Sequence, residues 1–428
     1  MADRLLDGKR ILLGVTGGIA AYKAADLCSR LVRAGAHVDV VMTEAATRFV
    51  APLTFSALCG RAVRVDMWAM PGGDAIPHVH MAASVDLVVV APLSANTLAK
   101  LSLGLADNLL TATLLATTPP WVLAPAMESH MWSNPVTQGH ARALLERGAI
   151  LVGPGIGRLA SGAEGIGRMA EPFEILDAAR LVFARGGPLA GRRVLVTAGG
   201  TQEPLDPVRF LTNASSGKMG VALAEAARDL GATVTLAHAP LAVPLPAGAE
   251  SLPVRSALAM REAVLSRLEG TDILIAAAAV ADFRPAHTAP EKIKKVPGEQ
   301  GLSLELVRNP DILAEVASRR RSTGWPRVVV GFAAETQDLL ENASAKLKAK
   351  QLDLIVANDV TQQGSGFGSD DNRVTLLYRD GRSEPLDLMP KAEVADRVLR
   401  ASLTLLLEAP DAATSSRAGD NAAPETAR

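Results

Sequence analysis

Val194 to Ala198 form a short run of apolar and small residues that stops at Gly199-Gly200, and this stop constrains the fold strongly. Such a run reads as a buried strand ended by a tight turn. The same arrangement occurs near the N-terminus, where Arg10–Val15 reads as a strand and Thr16-Gly17-Gly18-Ile19-Ala20 as a turn. A helical pattern follows from Ala21 to Ala34 and is closed by Gly35. Strands that alternate with helices predict an α/β fold with parallel, doubly wound sheets. Two such starts in one chain predict two Rossmann-like domains. Ligands of these sheets sit beyond the C-terminal ends of the strands.

In the first half, further strands are expected at His37–Met42, Leu87–Ala91 and Trp121–Ala124. Their ends place Thr16–Ile19, Thr43, Pro92–Thr97 and Pro125–Trp132 along one edge. Gly14, Gly17 and Gly18 do not follow the G-x-G-x-x-G spacing of a dinucleotide site. Glu44 could serve as a ribose-binding acid, but the glycine mismatch argues against NAD. One phosphate at the helix N-terminus fits better, as in a flavin mononucleotide, with Thr16, Thr43, Ser94 and Thr97 supplying hydroxyls.

The second half repeats the design, with strands expected at Thr233–Ala237, Ile273–Val280, Val328–Phe332, Leu354–Val356 and Arg373–Tyr378. An antiparallel excursion is expected at Leu302–Val307, and an amphipathic helix at Lys391–Leu407. Asn213 to Gly220 (NASSGKMG) leads into a helical pattern beginning at Val221. Together with the Gly-Gly turn it offers backbone N–H groups, the Ser215 and Ser216 hydroxyls and the Lys218 cation to a phosphate. A Gly-Gly turn alone marks no more than an ordinary βα loop. Gly186-Gly187-Pro188 reads as a linker, which divides the chain into 1–188 and 189–408, with 409–428 expected to be disordered.

Composition removes several function classes. Lys and Arg number 44 against 45 Asp and Glu, so bulk charge gives no reason to expect nucleic acid. Aromatic residues at 3% provide few stacking platforms for bases. Cys28 and Cys59 are too few for a disulfide framework and have no metal-ligand spacing, which fits a reducing compartment. The apolar runs Leu87–Leu93 and Ile273–Ala281 are about half the length of a membrane span. A cytoplasmic protein without membrane or nucleic-acid partners is expected.

The stretch from 192 to 220 resembles phosphopantothenate–cysteine ligases of coenzyme A biosynthesis. AAAVADFRP, APEKIKK, RNPDIL, VGFAAET and KLKAKQLDLIVAND resemble the same family in the same order. The resemblance implies that CTP activates phosphopantothenate as an acyl-cytidylate, which then takes the amine of cysteine. It implies contacts from Asp282 and Pro310, Asp311, Ile312 and Leu313 to the nucleotide, and from Phe332 to its base. Lys346 and Lys350, four apart, and Lys292 are the candidate cations for the triphosphate, whereas Lys348 reads as a solvated lysine. Lys292 matches the lysine needed for the second half-reaction, and Asn213 the residue that steadies the acyl-cytidylate. Magnesium is expected to enter on the CTP phosphates, with no protein ligands named. The Gly/Ser/Asp-rich Gln362–Asp371 is expected to cover the nucleotide.

GVTGGIAAYKA, APLSANTLAKLSLGLADNLL and PAMESHMW resemble flavin-dependent cysteine decarboxylases. Thr16, Gly17, Gly18, Ile19, Thr43, Ser94, Thr97 and Met127 are then the expected FMN contacts. Pro77-His78-Val79-His80 offers two histidines, and spacing to Asp86-Leu87 selects His78 as the matching base. Glu128 and Met131 fall in the substrate motif, and Ser161 in a Gly-rich flap spanning 153–170. Two residues depart from the family pattern. Glu128 replaces an asparagine that would hold the substrate carboxylate, and it should repel that group unless protonated or turned away. Ser161 replaces a more acidic cysteine. The departures leave open a ligase whose first half binds FMN without decarboxylating. A non-catalytic flavin or nucleotide sensor is a further alternative. The resemblance also implies a homo-oligomer, with trimeric flavin halves, dimeric ligase halves and a possible dodecamer.

Overall fold

In a computed structural model, the described residues are 5–68, 76–294, 301–335, 339–359 and 368–409. The chain forms two compact units, Asp3–Ala184 and Arg185–Arg428.

The first unit is built on five parallel strands: β1 (Arg10–Val15), β2 (His37–Met42), β3 (Leu87–Leu93), β4 (Trp121–Pro125) and β5 (Ile150–Leu151). Their order is β2-β1-β3-β4-β5, so the winding reverses between β1 and β3. Alternate residues along β1 serve opposite faces. Ile11, Leu13 and Val15 join one core with Leu27 and Leu31 of helix Ala21–Arg33, and Leu12 joins another with Leu98, Leu101 and Leu110. Both faces are covered, which explains a continuous apolar strand rather than an alternating one. Each fully buried leucine or valine contributes about 1.5–3 kcal/mol.

The second unit holds eight strands in the order β12-β11-β8-β13-β16-β17-β18-β19. They are β8 (Arg193–Ala198), β11 (Thr233–His238), β12 (Glu250–Pro253), β13 (Ile273–Ala276), β16 (Val328–Glu335), β17 (Leu354–Asp359), β18 (Asp371–Tyr378) and β19 (Ser383–Pro390). Six are parallel, and β18 and β19 extend the sheet antiparallel. Here the winding reverses between β8 and β13. Helix Lys218–Asp229 packs closely on β8, because a Cβ on Gly220 would lie 2.4 Å from that of Ala198.

Three expectations are corrected. The strand expected at Ile273–Val280 ends at Ala276, because residues 277–281 leave it to follow the Gly199–Thr201 turn. Residues 153–170 are more than a loop, since β6 (Gly155–Arg158) and β7 (Glu164–Arg168) pair antiparallel. The excursion is a pair between β14 (Phe283–Pro285) and β15 (Leu306–Arg308), with a similar pair, β9 (Gln202–Pro204) and β10 (Phe210–Thr212), nearby in sequence to the Gly-Gly turn. Most of the expected cover at Gln362–Asp371, and all but the first residue of the tail 409–428, lie outside the described residues.

Candidate functional site

At the switch point of the first sheet, Thr16 is fully buried. Its hydroxyl donates to the Pro92 carbonyl at 2.7 Å and accepts from the Ser94 amide at 2.9 Å. Thr16 therefore ties β1 to β3, and its hydroxyl is not free for a phosphate as expected. Thr43 and Ser94 cap the helices Glu44–Thr47 and Ala95–Leu103, accepting from Ala46 and Thr97 amides at 3.3 and 3.4 Å. Buried Thr97 shares a bond with the Ser94 hydroxyl. The turn above them is compact. A Cβ on Gly17 would meet that of Ala45 at 2.6 Å, whereas Gly18 faces open space and Ile19 is exposed. The following helix begins at Ala21 with no side-chain cap, so its first-turn amides lack a side-chain acceptor there.

His78 stands on helix Pro77–Ser84, just before β3. It is half-buried, and its Nδ1 is a buried nitrogen without a hydrogen-bond partner among the described residues. A proton acceptor or donor brought to this nitrogen would satisfy it. His80, the other candidate, is exposed.

Glu128 caps the short helix Ser129–Ser133. One carboxylate oxygen accepts from the His130 and Met131 amides at 2.7 and 3.3 Å, and the other lies 3.0 Å from His130 Nδ1. Partial burial acts to raise its pKa, but His130 and these amides prevail and hold it below the usual glutamate value. The charge expected to repel a substrate carboxylate is thus engaged by its own helix. Met131 is exposed, and Met127 donates its amide to Gly167 of β7 at 3.0 Å. A Cβ on Gly167 would lie 2.2 Å from the Met127 carbonyl oxygen, so this glycine allows the hairpin to lie against the motif. Ser161 is exposed at the hairpin tip.

In the second unit, two cavities of about 540 and 430 Å³ share Ala278, Val280, Asp282, Phe332 and Lys346. They form one cleft beyond the C-terminal ends of β8, β13 and β16. Asp282, Pro310, Asp311, Ile312, Leu313, Phe332, Lys346 and Lys350 all line the first cavity, and Asn213 the second. The Lys346 ammonium donates to the Phe332 carbonyl at 3.1 Å. Lys350 pairs with Asp311, and burial lowers its pKa against the pull of Asp282. Asn213 donates toward the Ala279 and Val280 carbonyls at 3.3 and 3.4 Å.

The backbone around Gly200 bridges to Ala279, with the Gly199 carbonyl accepting the Ala279 amide at 2.8 Å and the Thr201 amide donating to the Ala279 carbonyl at 3.2 Å. All eight residues of Asn213–Gly220 line the second cavity. Lys218 there donates to the Gly368 carbonyl at 2.9 Å and pairs with Asp370 at 2.7 Å. Lys292 is exposed and lines neither cavity, contrary to its place among the triphosphate cations. Asn309 and Lys391 went unnoticed in the sequence. Asn309 donates to the Ala281 carbonyl at 2.8 Å and Lys391 lines the second cavity. Only the RNPDIL run hinted at Asn309. Among the described residues, no cluster of three His, Cys, Asp or Glu could hold a metal.

Residues 2–182 match the Flavoprotein family, and residues 189–405 match the DNA/pantothenate metabolism flavoprotein C-terminal domain. The coenzyme A biosynthesis bifunctional protein CoaBC of Bacillus subtilis (strain 168) is 48% identical over 399 residues, covering 92% of this chain and 97% of that protein. The chain belongs to the CoaBC family. CoaBC of Mycobacterium tuberculosis (strain ATCC 25618 / H37Rv) is 45% identical over 419 residues, covering 95% of this chain and 99% of that protein. A solved C-terminal domain of a CoaBC protein covers 52% of this chain and all of its own, with 38% identity and a TM-score of 0.44. As a CoaBC protein, this chain is an enzyme of coenzyme A biosynthesis with ligase and decarboxylase activities. The ligase-only alternative is not favoured. Among the described residues, no helix is long and apolar enough to cross a membrane.

Proposed function

We propose that residues 189–408 condense phosphopantothenate with cysteine at the expense of CTP, and that residues 1–188 decarboxylate the product with FMN. The observation that carries the ligase assignment is the single cleft collecting Asn213, Asp282, Phe332, Lys346 and Lys350. The base of CTP would lie in the first cavity against Phe332, and its phosphates toward Lys346 and the Asn213–Gly220 cradle. Cations there offset the charge that develops as the substrate carboxylate attacks the α-phosphate and pyrophosphate departs. Magnesium would enter on the phosphates. The cysteine nitrogen then bonds to the acyl carbon as the bond to the cytidylate oxygen breaks. CMP leaves, and the amine releases its surplus proton. Asn213 would steady the acyl-cytidylate.

The residues of the first unit fit FMN: a compact Gly17 turn, an open face at Gly18 and a helix start without a side-chain cap. Gly18, Ile19, Thr43, Ser94 and Met127 would hold it, while Thr16 and Thr97 fix the loops. When bound, FMN supplies the redox chemistry at the cysteine moiety of the substrate. His78 would hold the proton to be moved, at its unpartnered Nδ1. Glu128 stays ionised while it caps its helix, so it would not itself hold the substrate carboxylate. Ser161 would come from the hairpin that lies against Met127. We place the protein in the cytoplasm as a homo-oligomer, with trimeric flavin units and dimeric ligase units.

The test is a one-pot assay of the purified protein with phosphopantothenate, cysteine, CTP and magnesium, read by mass. Phosphopantetheine supports both assignments. Accumulated phosphopantothenoylcysteine would remove the decarboxylase, and an absence of cysteine coupling would remove the ligase.

A further inference from the structure

The two cavities of the second unit share a wall. Ala278, Val280 and Asp282 line both, so the short segment that carries them divides the cleft. This segment follows β13 but is not part of it, and its shape depends on what its peptide groups bind. On one side the Ala279 amide donates to the Gly199 carbonyl at 2.8 Å, and the Ala281 amide to the Thr201 hydroxyl at 2.9 Å. Asn213 donates to the Ala279 and Val280 carbonyls. Asn309 takes the next two carbonyls. Its side-chain amide donates to Ala281 at 2.8 Å, and its backbone amide to Asp282 at 2.8 Å.

Asn309 stands just past β15, where the pairing of Phe283 with Arg308 ends. Its own orientation is set by Arg284 of β14. The Arg284 guanidinium donates to the Arg308 carbonyl at 2.8 Å and to the Asn309 side-chain oxygen at 3.1 Å. A guanidinium has donors only, so it takes the oxygen and leaves the Asn309 nitrogen for Ala281. Asn309 is thus bound through its backbone and through both ends of its side chain. Directly after it come Pro310–Leu313, which line the first cavity with Asp282. Two stretches of that cavity, far apart in the chain, are fixed to one another at Asn309.

We propose that Asn309, oriented by Arg284, is a positioning residue that sets the spacing between Asp282 and Pro310–Leu313, and so acts on the affinity for CTP rather than on the steps after it binds. The inference rests on the reading that the base of CTP lies in the first cavity. Truncating Asn309 leaves the Ala281 carbonyl without this donor and lets the wall shift, whereas the Asn213 contacts and Lys346 remain in place.

The experiment uses the full-length protein. Ligation is followed by pyrophosphate release, with CTP, phosphopantothenate and cysteine varied in turn, and decarboxylation is measured separately on supplied phosphopantothenoylcysteine. Asn309→Ala is expected to raise the KM for CTP about 10-fold, the loss that goes with one hydrogen bond in a partly buried site. Its kcat at saturating CTP should stay within about twofold, the pattern of lost binding rather than lost chemistry. The KM values for phosphopantothenate and cysteine, and the decarboxylation rate, should not change. Asn309→Asp keeps the size and the bond to Arg284 but sets an acceptor against the Ala281 carbonyl, and should raise the KM for CTP at least as far. Arg284→Met, which frees the amide to turn, should show the same selectivity in smaller degree and decides the matter if neither Asn309 variant folds. An unchanged KM for CTP in a folded Asn309→Ala protein overturns the proposal, as does an equal rise in KM for all three substrates. So does an unchanged KM in Arg284→Met when the Asn309 variants cannot be folded. If the unaltered protein releases no pyrophosphate from CTP, the reading of the cleft has failed, and the proposal falls with it.

Discussion

Glu128 and His130 form a closed pair, in which the glutamate carboxylate accepts the His130 amide at 2.7 Å and lies 3.0 Å from the imidazole Nδ1. An asparagine at position 128 could make the capping bond but would carry no charge for the imidazole. Glu128→Asn is therefore expected to keep the helix Ser129–Ser133 and to lose its pH-dependent part. The carboxyl is held below its ordinary 4.5, so its contribution to stability is full above that value and fades as pH falls through the lowered one. Thermal melts of both proteins should differ at pH 7 and converge in acid. A difference that persists in acid would show that the charge is not the cause. Decarboxylation should stay within roughly twofold if the Glu128 oxygens remain committed to their own helix during turnover.

His78 has a buried ring nitrogen in search of a partner. His78→Gln should lower decarboxylation about 10²- to 10⁴-fold, the range for loss of a general acid–base group. Assays supplied with phosphopantothenoylcysteine measure this directly. Flavin absorbance and the CTP half-reaction should stay unchanged, and a parallel loss of flavin would assign His78 to binding instead.

Gly167 lies where a side chain would strike Met127, and its φ of 148° lies at the edge of the region that favours glycine. Gly167→Ala should cost about 1–3 kcal/mol locally. Limited proteolysis is expected to cut within 155–168 faster than in the unaltered protein. Equal cutting rates would mean that the hairpin does not depend on this contact.

Lys350 has a pKa lowered first by burial, with Asp282 opposing. Its protonated form carries the charge that would hold a phosphate. As pH rises, that charge is lost below the ordinary lysine value of 10.5, so the KM for CTP should climb earlier on the alkaline side than a free lysine allows. Lys350→Gln should raise KM at neutral pH and flatten this limb. An unaltered alkaline limb would exclude Lys350 as its origin.

Much of the frame was legible in the chain, for a physical reason. Arg10–Val15 and His37–Met42 are contiguous runs with both faces buried, so burial and sequence say the same thing. Glu250–Pro253 and Ser383–Pro390 are edge strands with polar exposed residues, and no apolar run marks them. The hairpin at Gly155–Arg168 carries four glycines within its strands, which erases the alternation that betrays a strand. Pro310–Leu313 reach the first cavity together because they are contiguous at the start of the helix Ile312–Thr323. The bonds that Asp206 and Arg209 make to the Ile293 backbone join residues more than 80 positions apart, and only the fold brings them together. Thr16 misled because a hydroxyl at a strand end reads alike whether it faces a ligand or a neighbouring strand.

That same hydroxyl has a thermodynamic consequence. By bonding both Pro92 and Ser94, Thr16 fixes the separation of the two loops before any cofactor arrives. The conformational entropy of ordering the crevice is lost during folding rather than on association. Flavin entry should then resemble docking into a finished mould. Calorimetry of Thr16→Val would reveal the difference as a larger entropic penalty for FMN, borne at the moment of binding.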